Sequence, residues 1–388
     1  MLKLLFCAAT LLASSALSAA GDIALRVVYL RHEQIRPPVL SNLNPIPKDL
    51  GHAGALLALE ESRTTGRFLG HTYALDVISI PPEDDVLEAA RTVLADTSLL
   101  ILDMPGDQMQ AVADLPSAAN AILFNATDAS ADLRDTGCRA NVLHTLPSQT
   151  MRADALMQFA LSKRWSKLAL IAGEHPSDQA FAAALDRSAT KFGLKIGARK
   201  TWAFDADMRR NAAQEVPLFT QELGKYDLLL VADELGDFGR YIPYNTWLPR
   251  PVAGSVALVP VAWDRVVEQW GAVQVQNRFH DQTGRAMLPE DYAAWAAIRA
   301  LSEAATRTNS ADTATLRTYL LSKDFQLAAF KGRPLSFRPW NGQLRQPIPL
   351  VSGDAMVAQA PLPGFLHQHS ELDTLGLDLP ESKCEAFK

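Results

Sequence analysis

The sequence predicts an α/β protein built from two doubly wound, parallel-sheet lobes. Three observations carry that expectation. Short, continuous apolar runs recur along the chain, as strands buried on both faces require. Helix-length amphipathic runs separate them. The alternation occurs twice, on either side of HTLPSQT (144–150), a polar, proline-bearing segment that suits a hinge. A β-α-β-α order builds parallel sheets through right-handed crossovers.

The elements follow in order. IALRVVYL (23–30) reads as a strand, and DLGHAGALLALEESR (49–63) as a helix with Ala53, Leu56, Leu57 and Ala58 apolar. YALDVISI (73–80) alternates like a strand; DDVLEAARTVLA (84–95) sets Val86, Leu87, Ala90, Val93 and Leu94 on one helical face. SLLILDM (98–104) is a doubly buried strand, and AILFNAT (121–127), KLALIAG (167–173) and YDLLLVAD (226–233) repeat its character. Helical runs lie near 150–164, 177–192 and 213–224. After a second break at LVPVAW (258–263), helices are expected over about 263–283, 288–307 and 312–322. PWNGQLRQP (339–347) holds an Asn-Gly turn signal between prolines and reads as a hairpin.

Composition narrows the function classes. The 388 residues are 48% hydrophobic and 21% charged, enough for large cores. Residues 1–20, MLKLLFCAATLLASSALSAA, carry Lys3, an apolar stretch and small residues at Ser18, Ala19 and Ala20. That pattern predicts an export signal cut near Ala20. No other apolar stretch reaches the length of a membrane span, so a soluble exported chain is expected. The net charge of −6 becomes about −7 without Lys3, which argues against nucleic acid as partner. Cys138 and Cys384 remain after the signal. An oxidising compartment would allow them to pair, but the reading favours two unpaired thiols.

Catalytic signatures are missing. There is no GxxxxGK[ST], GxGxxG after a strand, HExxH, GxSxG or CxxC. SATK (188–191) matches a bare SxxK without its companion motifs, and EDD (83–85) suits a helix N-terminus better than a cation site. The chain reads as a binder rather than an enzyme.

Longer segments carry a resemblance. GHAGALLALEESRTTGRFLGHTYAL, FNATDASADLRDTGCRANVLHTLPSQTMRADALMQFA and DYAAWAAIRALSEAATRTNSADTATLRTYLLSKDF resemble the type I periplasmic solute-binding proteins of the Leu/Ile/Val-binding group. GRPLSFRPWNGQLRQPIPLV resembles the final hairpin and third interlobe crossing of that family. YLRHEQIRPPVLSNL, RYIPYNTWLPRPVAGSVALVPVAWDRVVEQWGA and LAAFKGRPLSFRPWNGQLRQPI resemble the substrate-binding proteins associated with pyrroloquinoline quinone (PQQ)-dependent alcohol dehydrogenase systems. The resemblance implies a type I periplasmic-binding-protein fold, with a three-strand hinge around a ligand cleft. Lobe 1 would comprise 21–146 with about 264–335, and lobe 2 147–263 with about 336–388.

Ligands in such folds bind beyond the C-terminal strand ends. Candidate ligand residues after strands are Arg31, Arg36, His175 and Ser177, with Asn125, Thr127, Asp233 and Glu234 at positions the resemblance also implies, and Trp263 at the second crossing. Arginines suit ligand carboxylates, and Trp263 suits a flat ring. Each also has a structural reading: ion pairs for the arginines, turns or caps for the Asn, Thr, His, Ser and acidic positions, and core for Trp263. No catalytic residue, metal site or required cofactor is expected. The resemblance implies a monomeric periplasmic component of an ABC importer, partnered by an inner-membrane permease. PQQ or a related anionic aromatic compound is the first ligand, and a small carboxylate or branched-chain amino acid an alternative. The competing role is a docking or sensory partner of a periplasmic PQQ-dependent alcohol dehydrogenase.

Overall fold

A computed structural model describes residues 23–35, 45–203 and 211–388. The expected export segment and Arg36 lie outside the described residues. The first sheet is parallel, in the order β2-β1-β3-β4-β5. Its strands are β1 (Ile23–His32), β2 (His71–Ile80), β3 (Leu99–Asp103), β4 (Ile122–Asn125) and β5 (Val142–His144). Leu99 to Leu102 and all of β4 are buried, as their unbroken apolar runs require. Helices α1 (His52–Leu69), α2 (Val86–Asp96) and α3 (Gly106–Ala113) connect these strands. Asp85 caps α2 by accepting a hydrogen bond from the Leu87 amide at 2.8 Å, so the acidic run before it serves the helix.

The second sheet is also parallel, in the order β7-β6-β8-β9. It consists of β6 (Lys167–Gly173), β7 (Lys195–Trp202), β8 (Leu228–Ala232) and β9 (Val252–Gly254). Its helices are α4 (Gln149–Ser162), α5 (Pro176–Lys191) and α6 (Ala212–Gln221). Each fully buried aliphatic side chain in such strands contributes about 1.5–3 kcal/mol. The SATK residues end α5, where Ser188 Oγ and Lys191 Nζ donate to the buried Asp154 carboxylate at 2.5 and 3.0 Å. Their role is structural.

The chain then returns to the first lobe. Helices α7 (Ala272–Thr283), α8 (Pro289–Thr308) and α9 (Thr313–Leu320) follow, and α8 lies against α1. Gly54 permits that approach: a Cβ there would sit 1.8 Å from the Asp291 carbonyl oxygen. The helix expected over 263–283 begins only at Ala272. Asp264 accepts from the Val266 amide in a local turn, and Trp270 and Gly271 adopt left-handed backbone at φ 56° and 80°. Such backbone cannot propagate a right-handed helix.

Two small sheets close the fold. β11 (Ser336–Phe337) and β12 (Leu344–Arg345) pair as the expected hairpin, with Gly342 at φ 67° in its turn. Phe337 and Leu344 join the first-lobe core, beside Phe124 and Phe325. β10 (Val259–Pro260), β13 (Ile348–Ser352) and β14 (Ala355–Ala360) form an antiparallel sheet. Ile348, Leu350 and Ala360 pack into the second-lobe core with Met151, Leu156 and Phe181. The third crossing therefore falls between Leu344 and Ile348. Gln343, just before this crossing, and Gln346, within it, are buried and bind the first crossing. Gln343 Nε2 donates to the His144 and Leu146 carbonyls, and Gln346 Nε2 donates to that of Thr145 at 2.8 Å.

The cysteines correct an expectation. Cys138 and Cys384 form a disulfide, rather than two thiols. Sequence separation hid their meeting, which depends on the C-terminal tail. Leu372 is buried and Leu375 belongs to the second-lobe core, and Asp154 accepts from the Gly376 amide at 2.7 Å. Beyond Glu381 the tail passes to the first lobe, where Phe387 packs on that core and beneath Arg317. The disulfide thus fastens a fourth connection between the lobes. No helix among the described residues is long and apolar enough to cross a membrane.

Candidate ligand site

A cleft of about 800 Å³ opens between the lobes. The first lobe contributes Leu50, Thr127 and Ala129, and the second Arg152, Asp233, Glu234 and Ser255. Val259 to Ala262, at the second crossing, also line it. Pro45, Pro47, Pro147, Pro260 and Pro289 supply much of the apolar wall. A recess of about 550 Å³ continues from it past Ile46, Pro47, Leu50, Thr127 and Glu290 to Arg31, Lys48 and Asp103.

The chain builds the second-lobe wall from two strand ends and a helix start. Ser148 Oγ caps α4 by accepting from the Met151 amide, which sets Arg152 in the first turn. Arg152 donates from Nη1 and Nη2 to the two Glu234 oxygens at 2.5 and 3.0 Å, and from Nε to the Pro260 carbonyl at 3.1 Å. Its guanidinium also lies 4.5 Å from the Phe181 ring centroid. Ser255 Oγ donates to Glu234 at 2.8 Å. Burial pushes the Glu234 carboxyl up, but the Arg152 charge and the hydrogen bonds outweigh it and hold the group below its ordinary range.

The candidate residues fall into three groups. Thr127, Asp233 and Glu234 line the main cleft, and Arg31 lines the recess. Asn125, His175, Ser177 and Trp263 line neither. Arg36 is outside the described residues. Several are committed to the scaffold. Arg31 pairs with Asp103 at 2.6 Å and donates to the Lys48 and Leu50 carbonyls, which holds the loop before α1. Asn125 is fully buried; its Oδ1 accepts from the Thr127 and Asp128 amides. Asp233 accepts from the Asp237, Phe238 and Gly239 amides at 2.6–3.0 Å. His175 caps α5 and contacts Ser177 Oγ at 2.8 Å. Trp263 stacks on Tyr292 in the core, with ring centroids 4.6 Å apart. Thr127 differs: its Oγ1 is buried at the cleft and has no hydrogen-bond partner among the described residues.

Sequence reasoning missed Arg152 and Ser255. Both stand at element ends facing the cleft, and Ser148 before α4 was the available signal for the first. Behind them, Asp178 accepts from the Glu234 amide at 2.6 Å. Burial raises the Asp178 carboxyl to about 6, and Asp233 adds to the shift. The folded chain therefore binds this proton more tightly than the unfolded chain, and Asp178 costs stability as pH rises from about 4 to 6. Asp178→Asn should flatten that slope and gain on the order of 1–3 kcal/mol above pH 6. Urea unfolding at pH 4, 5, 6 and 7 checks this; an unchanged slope would refute the assignment.

Two facing parallel-sheet lobes, joined at a cleft and returning through a terminal hairpin, define the type I periplasmic-binding-protein fold. Residues 50–209 match the sequence model of the periplasmic binding protein family. A comparison with curated proteins found no match. Solved structures share the fold at low identity. A branched-chain amino acid ABC transporter periplasmic ligand-binding protein from Burkholderia xenovorans LB400 superposes with a TM-score of 0.71 at 16% identity, covering 94% of this chain and 100% of its own. A leucine-, isoleucine-, valine-, threonine- and alanine-binding protein from Brucella ovis, in a closed conformation, gives 0.66 at 12%, covering 84% and 89%. An R. palustris ABC transporter solute-binding protein in complex with benzoate gives 0.63 at 12%, covering 93% and 99%. All three are binding proteins.

Proposed function

We propose that the chain is the substrate-binding component of a periplasmic ABC importer, capturing a small organic solute as its lobes close. The carrying observation is the cleft itself: polar groups from both lobes, Thr127 from the first and Arg152, Glu234 and Ser255 from the second, line it among apolar residues. Lobe closure about the crossings would bury a ligand between Thr127 and the Arg152–Glu234 pair. An inner-membrane permease is the partner that this role requires.

The finer reading, PQQ as ligand, rests on the sequence resemblance. The lining adds little to it. No Phe, Tyr or Trp side chain lines the cleft or recess among the described residues. The acids Glu33, Asp103, Asp233, Glu234 and Glu290 offset the cations Arg31, Lys48, Arg152 and Arg285, whereas PQQ carries three carboxylates. The dehydrogenase-docking reading draws no support from any feature of the cleft.

Residues 21–388 should bind one small solute per chain. Thermal-shift screening with PQQ, leucine and benzoate, followed by calorimetry, tests this. A ligand at a hundredfold excess over its Kd adds about 2.7 kcal/mol to stability. A folded protein stabilised by no solute in a broad metabolite panel would overturn the reading.

A further inference from the structure

The second lobe carries a cluster of cations at the end remote from the cleft. Lys167 opens β6, Lys195 opens β7, and Lys225 lies just before β8. The cleft residues Asp233 and Glu234 follow the other end of β8, whose five residues span about 17 Å. The three lysines line a pocket of about 360 Å³ together with the apolar Leu168, Ala198 and Leu223.

Two features separate this cluster from an ordinary solvated face. The first is the lack of counter-charge. Further along β7, Arg199 pairs with Asp186, and Lys200 pairs with Glu222 at 2.6 Å. The side chains of Lys167, Lys195 and Lys225 have no hydrogen-bond or ion-pair partner among the described residues. The acid beside them, Asp227, accepts instead from the Ser166 and Lys167 backbone amides at 3.1 and 2.9 Å. Lys167 and Lys195 are register partners on neighbouring strands, where like charges destabilise the pair. The second feature is a bulge. Between the partners Leu168–Ile196 and Ala169–Ala198 the register slips by one residue, leaving Gly197 unmatched. Side chains three apart on a regular strand point to opposite faces. The extra residue re-aims Lys195, so that it lines the pocket together with Ala198.

We propose that this pocket is a second binding site, separate from the solute cleft, which takes a phosphate group between Lys167, Lys195 and Lys225. Lysine offers a point charge with three rotatable donors, whereas a planar carboxylate is matched by the arginine fork. No arginine lines this pocket among the described residues. Three ammonium groups around one concavity suit a multiply charged, tetrahedral oxyanion. Such a group arrives either on a soluble phosphate compound or as the headgroup of an anionic lipid. Its charge supplies what the protein leaves out, and relieves the repulsion between Lys167 and Lys195.

Two measurements on residues 21–388, at constant ionic strength, test the site and separate its two sources. One is calorimetry with inorganic diphosphate. The other is co-sedimentation with vesicles of phosphatidylglycerol and phosphatidylcholine, set against vesicles of phosphatidylcholine alone. Diphosphate binding without vesicle binding assigns the site to a soluble phosphate compound. Binding to the anionic vesicles that diphosphate competes away assigns it to a lipid headgroup. In either case Lys167→Gln and Lys195→Gln should each weaken binding about three- to fivefold, the upper range for an exposed ion pair. Lys323→Gln, an exposed position outside the pocket, makes the same change in net charge and should leave binding unchanged. Equal weakening by Lys167→Gln and Lys323→Gln would mean attraction by overall charge and would overturn the site. Binding unmoved by Lys167→Gln and Lys195→Gln overturns it as well, as does binding of neither probe. Vesicle binding that diphosphate cannot compete overturns the phosphate chemistry. None of these outcomes bears on the cleft, whose solute reading stands or falls on its own screen.

Discussion

Reducing the Cys138–Cys384 disulfide should destabilise the protein by about 2–5 kcal/mol, and Cys384→Ser should do the same without reductant. The bond joins residues 246 apart in sequence, so it closes a very long loop in the unfolded chain. Long loops restrict that chain most in the entropic account. The folded consequence is local. Leu375 and Gly376 anchor the tail in the second lobe, while Lys383, Cys384 and Phe387 reach the first. Without the bond, the final residues should lose amide protection while α4 and α5 keep theirs. Urea unfolding with and without reductant reads the stability, and hydrogen exchange reads the location. Equal midpoints for oxidised and reduced protein would rule out the tail as a fastening. Because the tail bridges the lobes, the reduced protein should also show wider interlobe excursions by small-angle scattering.

Arg338→Ala should cost about 3–5 kcal/mol, the range for breaking a buried ion pair from one side. Arg338 is 1% exposed, in the turn of the terminal hairpin. Its Nε donates to Asp373 at 2.9 Å, and its remaining nitrogens donate to the carbonyls of Leu372, Leu375 and Leu377. Truncation leaves three buried carbonyls short of a donor, which adds to the loss of the charge pair. Arg345 still donates to Asp373 at 2.8 Å, so the carboxylate is not wholly abandoned. Arg338→Lys should recover only part of the loss, because one ammonium cannot serve four acceptors spread around a planar fork. The exposed Arg333–Glu371 pair joins nearby segments and provides the contrast: Arg333→Ala should cost under about 1 kcal/mol. If the two alanine variants unfold at the same urea concentration, burial is not what gives Arg338 its weight.

Much of the scaffold was legible because the signals are local. SLLILDM and YDLLLVAD can only be buried strands at that length and composition, and both are. Asp85 and Ser148 announce α2 and α4 by the hydrogen bonds that their side chains make. Asn341-Gly342 marks a hairpin whose turn needs a positive φ. The stretch 263–271 misled because its apolar spacing fits a helix while Trp270 and Gly271 adopt a backbone that ends one.

The site was legible only in outline. Of the strand-end residues singled out, Thr127, Asp233 and Glu234 line the cleft. Side-chain type did not say which were available. Asp233 is consumed by its own turn, Arg31 by Asp103 and a loop, and Trp263 by Tyr292. Arg152 gave no motif at all, because its importance lies in partners 82 and 108 residues away.

By itself, the sequence determined the alternation of strands and helices, the two-lobed plan and the shortage of catalytic motifs. Each follows from local periodicity and residue chemistry, which short-range sterics and apolar burial read directly. Only the tertiary structure decided that Cys384 returns to Cys138, that two glutamines bind one crossing to another, and that Arg152 faces Thr127 across a cleft. These are long-range pairings. Their energy is realised only when folding removes water from both partners at once, so no local stretch of sequence carries the signal.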